Sequence, residues 1–119
     1  MIKVLIVEDD YMLALINRKN VELLGYTVVA AVTNGEAAIE AVKKHTPDVV
    51  LMDLRLEGDK DGIDIMMEIG KFSTVPVIYL TGSSDTVNKS RASQTNTLAF
   101  CIKPVHFEEL DALFKKIKP

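Results

Sequence analysis

Carboxylates, a hydroxyl and an ammonium follow four separate apolar runs of this chain, and together they could carry out ion-dependent chemistry. The residues concerned are Glu8, Asp9, Asp53, Thr81 and Lys103. Carboxylates that crowd together repel one another and resist ionising unless a cation compensates them. Oxygen ligands with no histidine or cysteine among them favour a hard ion, Mg²⁺ or Mn²⁺. These residue types therefore indicate a site for a divalent cation, provided that the fold brings them together.

The apolar runs in front of these residues are typical of buried strands. They are short and rich in β-branched residues, and they cover residues 2–7, 27–32, 49–52, 75–80 and 98–102. Several are apolar nearly throughout, which suits parallel strands that are covered on both faces. We therefore predict five strands, with the polar residues directly after the first, third, fourth and fifth.

Segments with helical periodicity separate the predicted strands. The first covers residues 11–24 and ends at Gly25, which is a good residue to follow a helix C-terminus. Its predicted apolar stripe contains Leu13, Ile16, Leu23 and Leu24. Because the stripe follows helical spacing, we expect it to face the sheet.

Four further helices are predicted along the chain. Asn34 is a candidate N-cap for the second helix, which must end before Pro47. A third helix is expected over residues 63–69 and a weak fourth over residues 85–95. The apolar stripe of the last helix contains Phe107, Leu110, Leu113, Phe114 and Ile117.

The alternation of strands and helices predicts an α/β fold of five βα units. Such units form a three-layer, doubly wound sandwich with right-handed crossovers, and 119 residues suit a single domain over 1–119. Ligands of open parallel sheets bind beyond the carboxyl ends of the strands. The pattern therefore places the polar residues at the expected binding edge, although it does not determine the strand order.

Each polar residue also has an ordinary structural explanation. The acids after the first strand can cap the first helix, and Asp53 can be a turn residue. Thr81 can cap the fourth helix, and an isolated Lys103 can be a solvated surface charge. Their occurrence together at successive strand ends favours a functional site over a set of separate coincidences.

Composition excludes several other classes of protein. The formal net charge is −3, so no basic surface is expected to bind nucleic acid or an anionic membrane. No apolar run approaches the roughly 20 residues that span a bilayer, and the start does not resemble a secretion signal. The one cysteine, Cys101, lies in an apolar run and supports neither a disulfide nor a thiolate metal site. We therefore expect a cytoplasmic protein with no membrane insertion.

Five stretches, in this order, resemble the receiver domains of two-component response regulators. They are Val4-Leu5-Ile6-Val7-Glu8-Asp9-Asp10, Val50-Leu51-Met52-Asp53-Leu54, Asp61-Gly62, Pro76-Val77-Ile78-Tyr79-Leu80-Thr81-Gly82 and Phe100-Cys101-Ile102-Lys103-Pro104. The resemblance covers essentially the whole chain, and it is carried by the order and spacing of the five stretches. It implies a flavodoxin-like sheet with the strand order 2-1-3-4-5.

The resemblance also implies roles for individual residues. Asp53 resembles the phosphoacceptor, and Asp9 resembles a direct ligand of Mg²⁺, for which Mn²⁺ can substitute. Glu8 would act on the ion through water, and the backbone carbonyl of Arg55 would complete the protein's share of the ligands. Asp10 falls one position too late for the metal and is expected to start the first helix.

Three further positions complete the implied mechanism. Thr81 resembles the hydroxyl that binds the phosphoryl group, and Lys103 resembles the ammonium that pairs with it. Phe100 matches an aromatic switch position, and the Lys103–Pro104 peptide is expected to be cis. The implied donor is a histidine kinase or phosphotransfer protein. We predict that the output face is the fourth helix, fifth strand and fifth helix. The fourth helix is predicted to be the loosest element, because residues 85–96 hold few apolar residues and many Ser, Thr and Asn residues.

Other functions fit the sequence less well. A dehalogenase-type phosphatase needs a second aspartate two residues after its nucleophile, where this chain has Arg55. A flavin carrier needs a phosphate loop where this chain has acids, and no Walker-type nucleotide motif occurs. A receiver-like interaction module that works without phosphorylation is the serious alternative, but it would be expected to lose some of the site residues. We therefore expect a signalling switch, either as a stand-alone receiver or as part of a longer protein, and not an enzyme, since it catalyses only its own phosphorylation and dephosphorylation.

Overall fold

Five parallel strands form one sheet with helices on both faces. The structure is a computed structural model and describes residues 1–82 and 89–117. The strands are β1 (Lys3–Val7), β2 (Thr27–Val32), β3 (Val49–Asp53), β4 (Val77–Thr81) and β5 (Thr97–Ile102). The helices in the described part are α1 (Tyr11–Leu23), α2 (Gly35–His45), α3 (Gly62–Ile69), α4 (Lys89–Ala92) and α5 (Phe107–Phe114). The strand order is β2-β1-β3-β4-β5, which confirms the predicted fold class and order.

The register of the sheet aligns the C-terminal ends of its central strands. Asp53 pairs with Leu80 between β3 and β4, and Val7 pairs with Met52 between β1 and β3. The residue that follows β1, Glu8, therefore emerges beside Asp53. Parallel pairing thus brings together side chains that are far apart in the sequence, as the alternating pattern predicted.

The core consists of two apolar clusters, one on each face of the sheet. Helices α2, α3 and α4 contribute to one cluster, for example through Ala38, Ile63 and Ala92. Helices α1 and α5 cover the other face, where Val21 and Phe114 are fully buried. Because both faces are covered, the central strands β3 and β4 are buried along their whole length.

The helix N-caps follow directly from the sequence. The Asp10 side chain accepts hydrogen bonds from the backbone amides at the start of α1, and the Asn34 side chain accepts one at the start of α2. Gly25, directly after the C-cap of α1, has a φ angle of +90°, which glycine adopts without a steric penalty. These three predictions are confirmed.

The predicted apolar stripe of α1 is wrong in two of its members. Ile16 is 42% exposed and Leu23 is 75% exposed, whereas Asn17 and Val21 are buried. Asn17, Val21 and the partly buried Leu24 follow helical spacing along the buried face, and Ile16 lies about 100° around the axis from Asn17. Because the buried face contains the polar Asn17, hydrophobicity did not distinguish it from the exposed face that contains Ile16 and Leu23.

The predicted fourth helix lies partly outside the described residues. The described part, α4, ends at Ala92, three residues before the predicted end. The hydroxyls of Thr95 and Thr97 both donate to the Ala92 carbonyl, at 2.7 and 2.9 Å, and they end the helix there. The strand bounds also differ by one or two residues, since β4 begins at Val77 and β5 at Thr97.

In the part of the chain that the structure describes, no helix combines the length and the hydropathy that crossing a membrane requires. Cys101 is a free, buried thiol on β5, and burial raises its pKa to about 12. A thiol with so high a pKa remains protonated at neutral pH, so Cys101 behaves as a small apolar core residue.

Candidate functional site

Asp53 ends β3 and is the centre of a polar cluster at the carboxyl edge of the sheet. Its side chain is 2% exposed. Asp53 Oδ1 accepts a hydrogen bond from the Arg55 backbone amide at 3.1 Å and one from Lys103 Nζ at 2.8 Å. A backbone amide and an ammonium therefore fix the orientation of this carboxylate.

Lys103 reaches the same cluster from the end of β5. Its backbone amide donates to the Thr81 carbonyl at 2.7 Å, and the Lys103–Pro104 peptide is cis, as predicted. The ammonium also lies 3.2 Å from Glu8 Oε1. Burial lowers the pKa of Lys103, but the hydrogen bond to Asp53 and the two carboxylates outweigh it, so the pKa lies above its ordinary value. The lysine is therefore charged at neutral pH.

Glu8 is the most perturbed carboxylate of the cluster. It is 1% exposed, and burial followed by the neighbouring Asp53 raises its pKa from 4.5 to about 7. Its Oε2 accepts from the Asp10 amide at 3.2 Å. Its Oε1 is buried and accepts no hydrogen bond from any described residue, in spite of the nearby ammonium. Glu8 thus has a buried oxygen that no described residue hydrogen-bonds, and its burial favours the neutral form.

Three carboxylates of this cluster are placed to share one cation. Glu8, Asp9 and Asp53 each offer an oxygen, and these oxygens all lie within 4.8 Å of one another. The set holds only hard oxygen donors, and one of its members, Glu8, has a buried oxygen, Oε1, that lacks a hydrogen bond from the described residues. These features fit a small divalent ion such as Mg²⁺. The predicted part of the Arg55 carbonyl as a further ligand stays a prediction.

Thr81 and Gly82 border the cluster on the side of β4. Thr81 is the last residue of β4, is 5% exposed and pairs with Ile102 of β5. Gly82, which follows it, is partly exposed. The threonine therefore lies at the same sheet edge as Asp53 and Lys103, where the sequence placed it.

Phe100 is on β5, three residues before Lys103 of the polar cluster. Its ring is partly buried on β5 and stacks on the ring of Tyr79, with the ring centroids 5.3 Å apart and the planes 23° from parallel. The Tyr79 hydroxyl lies 2.8 Å from Thr95 Oγ1, just after α4. Phe100, the predicted switch residue, therefore contacts Tyr79, and Tyr79 is hydrogen-bonded to Thr95, which lies three residues after the end of α4.

Tyr79 was not singled out from the sequence, although a signal exists. A tyrosine inside a fully apolar strand needs a partner for its hydroxyl once it is buried. The identity of that partner, Thr95, could not be read from the sequence because the two residues meet only after β4 and β5 pair.

Gly62 packs against the backbone of Asp53. Its amide donates to the Leu54 carbonyl at 2.8 Å. A Cβ atom at this position would lie 2.5 Å from the Asp53 backbone oxygen and 2.7 Å from Met52 Cγ. Only glycine lets the start of α3 approach the Asp53 backbone so closely, which gives the Asp61-Gly62 motif a steric reason.

The fold therefore gathers Glu8, Asp9, Asp53 and Lys103 into one cluster and places Thr81 at its border. A buried carboxylate beside an ammonium and further acids is equipped to take up an electrophile while a cation offsets the charge. The structure defines a class of doubly wound α/β domains with an acidic cluster at the carboxyl edge of the sheet.

The chain belongs to the response regulator receiver domain family, whose family model matches residues 4–115. Transcriptional regulatory protein PdtaR of Mycobacterium tuberculosis is 34% identical over 111 residues, which span 91% of this chain and 52% of that protein. Transcriptional regulatory protein KdpE of the same organism is 34% identical over 106 residues, 89% of this chain and 46% of that protein. The chain thus spans about half the length of these regulators.

A solved structure shows the same fold. The signal receiver domain of a modulated diguanylate cyclase from Desulfovibrio desulfuricans superposes with a TM-score of 0.87 at 32% identity, over 96% of this chain and 90% of that one. Receiver domains of this family interact with histidine kinases or phosphotransfer proteins, and the family is part of two-component signalling.

Proposed function

We propose that the chain takes up a phosphoryl group on the Asp53 carboxylate in a Mg²⁺-dependent reaction and acts as a phosphorelay switch. The observation that carries this proposal is the position of Asp53, which is buried and lies against the Lys103 ammonium and the acids after β1. A carboxylate in that setting is a competent nucleophile toward phosphorus.

The proposed transfer conserves atoms and electrons. A carboxylate oxygen of Asp53 forms a bond to the phosphorus of a phosphohistidine on the donor protein. The phosphorus–nitrogen bond breaks at the same time, and the freed imidazole keeps the electron pair and later takes up a proton. Lys103 and the Thr81 hydroxyl then provide an ammonium and a donor for phosphoryl oxygens, which carry the negative charge of the transfer.

The residues that would hold Mg²⁺ are Asp9, Asp53 and the Arg55 carbonyl, with Glu8 acting through water and Mn²⁺ as a substitute. The bound ion would supply positive charge that offsets the crowded carboxylates and the phosphoryl anion. The raised pKa of Glu8, which is caused first by burial and then by the neighbouring Asp53, supports this part of the proposal.

The proposed donor is a histidine kinase or phosphotransfer protein, and α1 offers it an apolar contact surface. Tyr11 and Met12 open α1 directly after the acids and are 77% and 60% exposed, and Ile16 follows one turn later. Any donor that presents a phosphohistidine to Asp53 must cover the rim of this site. Exposed apolar side chains at that rim are suited to protein contact.

The proposed output is a change on the face formed by α4, β5 and α5. Phe100 and the Tyr79–Thr95 hydrogen bond join this face to β4, which ends at Thr81. In this proposal the phosphorylated state favours one of two pre-existing arrangements of the face, and the chain processes no separate substrate. The lone buried thiol supports a reducing, cytoplasmic setting.

The test is phosphorylation by acetyl phosphate, followed by intact-mass measurement. Wild type with Mg²⁺ should gain about 80 Da, one phosphoryl group, and should gain nothing when the metal is chelated. Asp9→Ala should remain folded and lose the gain, whereas Asp59→Asn, an exposed carboxylate in the loop after β3, should label normally. Labelling that does not depend on Mg²⁺ overturns the proposal. No labelling by acetyl phosphate or by a phosphorylated donor indicates an interaction module instead.

A further inference from the structure

Arg91 of α4 is clamped onto the start of α3. Its guanidinium contacts both carboxylate oxygens of Asp61, from Nη1 at 3.0 Å and from Nη2 at 3.3 Å. The same Nη2 donates to Asp64 Oδ1. One arginine therefore bridges two carboxylates that lie 30 and 27 residues earlier in the chain.

The two carboxylates are already fixed by the helix start. Asp61 is the N-cap of α3 and accepts from the Asp64 amide at 2.9 Å, while Asp64 Oδ2 accepts from the Asp61 amide at 3.0 Å. This reciprocal capping box holds both acceptors in place before the arginine binds. Burial raises the pKa of Asp61, but the Arg91 hydrogen bond and the backbone bond outweigh it and hold the pKa below its ordinary value.

The geometry differs from that of the ordinary surface ion pairs of this protein. Lys115–Asp111 joins two residues of one helical turn, and its lysine side chain is 69% exposed. Such single, exposed pairs contribute little. Arg91 is 34% exposed and makes a two-pronged contact. Because this contact joins two separate helices, it fixes the position of α4 relative to the start of α3.

The clamped end of α3 is in direct contact with the acceptor segment. Asp61 is followed by Gly62, whose amide is bonded to the Leu54 carbonyl and whose Cα approaches the Asp53 backbone. Residues 54–61 form the loop between these two contacts, and this loop carries Arg55, which donates to Asp53 Oδ1. Any shift of Asp61 is therefore passed to the residues on either side of the acceptor.

We propose that Arg91 is a positioning residue for the phosphoacceptor site, because its clamp on Asp61 and Asp64 holds the loop 54–61 in the arrangement that receives the ion and the phosphoryl group. The inference rests on the proposed function of Asp53. It also makes α4 and the site mutually dependent. A partner that draws Arg91 away from Asp61 would weaken ion and phosphoryl binding, and ion binding would in turn favour the clamped position of α4.

The experiment uses beryllofluoride with Mg²⁺ as the phosphoryl mimic and compares three variants of the full chain. Arg91→Ala should bind the mimic roughly two- to thirtyfold more weakly, the range in which coupled positions act. Arg91→Lys keeps the charge but loses the fork, so it should also bind more weakly than wild type. Lys115→Ala, which removes one cation and one ion pair far from the loop, should bind as wild type does.

A second readout requires no ion. Hydrogen exchange of the amides of residues 54–61 in the metal-free protein should be faster in Arg91→Ala and in Arg91→Lys, and unchanged in Lys115→Ala. If Arg91→Ala fails to fold, the affinity for beryllofluoride and the exchange of residues 54–61 are compared between Arg91→Lys and wild type.

The outcomes separate the two proposals. Wild-type affinity together with wild-type exchange in both Arg91 variants overturns the role of Arg91 and leaves the role of Asp53 intact. Wild type that does not bind beryllofluoride at all contradicts the proposed function, and the exchange of residues 54–61 then still decides whether Arg91 holds the loop. The inference is also overturned if Arg91→Ala binds beryllofluoride more weakly while Arg91→Lys binds it as wild type does, because the positive charge alone would then account for the effect.

Discussion

Lys103 Nζ donates to Asp53 Oδ1 across 2.8 Å, although 50 residues separate the two in the sequence. The same ammonium lies 3.2 Å from Glu8 Oε1, so a single cation serves two buried carboxylates. Burial is the main cause of the raised pKa of Glu8, and the neighbouring Asp53 adds to it. A divalent cation at this cluster would add positive charge beside the buried carboxylates.

The first prediction concerns the pH dependence of stability in the metal-free protein. The pKa of Glu8 rises from 4.5 to about 7 on folding, mainly through burial. The stability that this group contributes is complete below its unfolded pKa and is lost as the pH rises through about 7. The loss should amount to about 3 kcal/mol in the free energy of unfolding.

Urea unfolding between pH 4 and pH 8 (roughly the span of the two pKa values), with a chelator present, measures this effect. Glu8→Gln should show a flatter profile than wild type and should be the more stable of the two at the upper end of that range. Parallel profiles for the two proteins would show that Glu8 does not titrate in the proposed way.

The second prediction concerns the glycine beneath the acceptor. Gly62→Ala would place a Cβ atom 2.5 Å from the Asp53 backbone oxygen, so something must shift. We expect a loss of about 1–3 kcal/mol in stability, the usual cost of overpacking, together with slower phosphorylation. Gly70→Ala is the matched control, because its nearest contact would be 3.3 Å away and its φ of −61° suits alanine. Equal stability of the two variants, by thermal unfolding, would refute this account of Gly62.

The third prediction concerns the hydroxyl of Tyr79. Tyr79→Phe keeps the stack on Phe100 but removes the partner that lies 2.8 Å from Thr95 Oγ1. Stability should fall by about 1 kcal/mol, and hydrogen exchange should become faster for the amides of residues 92–97. Tyr26→Phe, on the opposite face of the sheet next to Phe114, is the control. If the exchange of residues 92–97 stays unchanged, the Tyr79–Thr95 contact has no part in the proposed switch.

Much of the fold could be predicted because parallel strands that are buried on both faces appear in a sequence as short, nearly continuous apolar runs. Fully apolar runs such as β3 and β4 indicated strands buried on both faces, and their ends indicated where the site would form. The stripe of α1 failed because the buried face contains a polar residue, Asn17, while Ile16 and Leu23 face outwards. Hydrophobicity alone cannot separate two adjacent helix faces when a polar side chain is buried.

The contacts that join elements could not be predicted. Arg91 meets Asp61 and Asp64 only because α4 packs beside the start of α3, and nothing in the local sequence of α4 indicates that neighbour. The acidic pair itself had a signal, since Asp61 and Asp64 have the spacing of a capping box. The prediction that the fourth helix is the loosest element covers residues 85–96, of which residues 85–88 lie outside the described part of the structure, and it stays a prediction.

The fourth prediction concerns the exposed start of α1, which is the proposed contact surface for the phosphodonor. Met12 is 60% exposed beside the acids and does not take part in the ion cluster. Met12→Glu should slow transfer from a phosphorylated donor protein by roughly fivefold or more, as for an apolar residue at an interface centre, without slowing transfer from acetyl phosphate. Glu22→Gln, at the far end of α1, is the control for surface charge. Equal slowing with both phosphodonors would place the defect in the site and not in docking.

The central claim is that Asp53 is the residue that becomes phosphorylated. Borohydride reduces an acyl phosphate to the alcohol, so treatment of the phosphorylated protein should convert Asp53 to homoserine, and peptide sequencing by mass spectrometry locates the change. The account predicts homoserine at position 53 alone, only in samples that held both phosphodonor and Mg²⁺, and none in Asp53→Asn. Reduction at Glu8, Asp9 or Asp10, or continued labelling of Asp53→Asn, would contradict it.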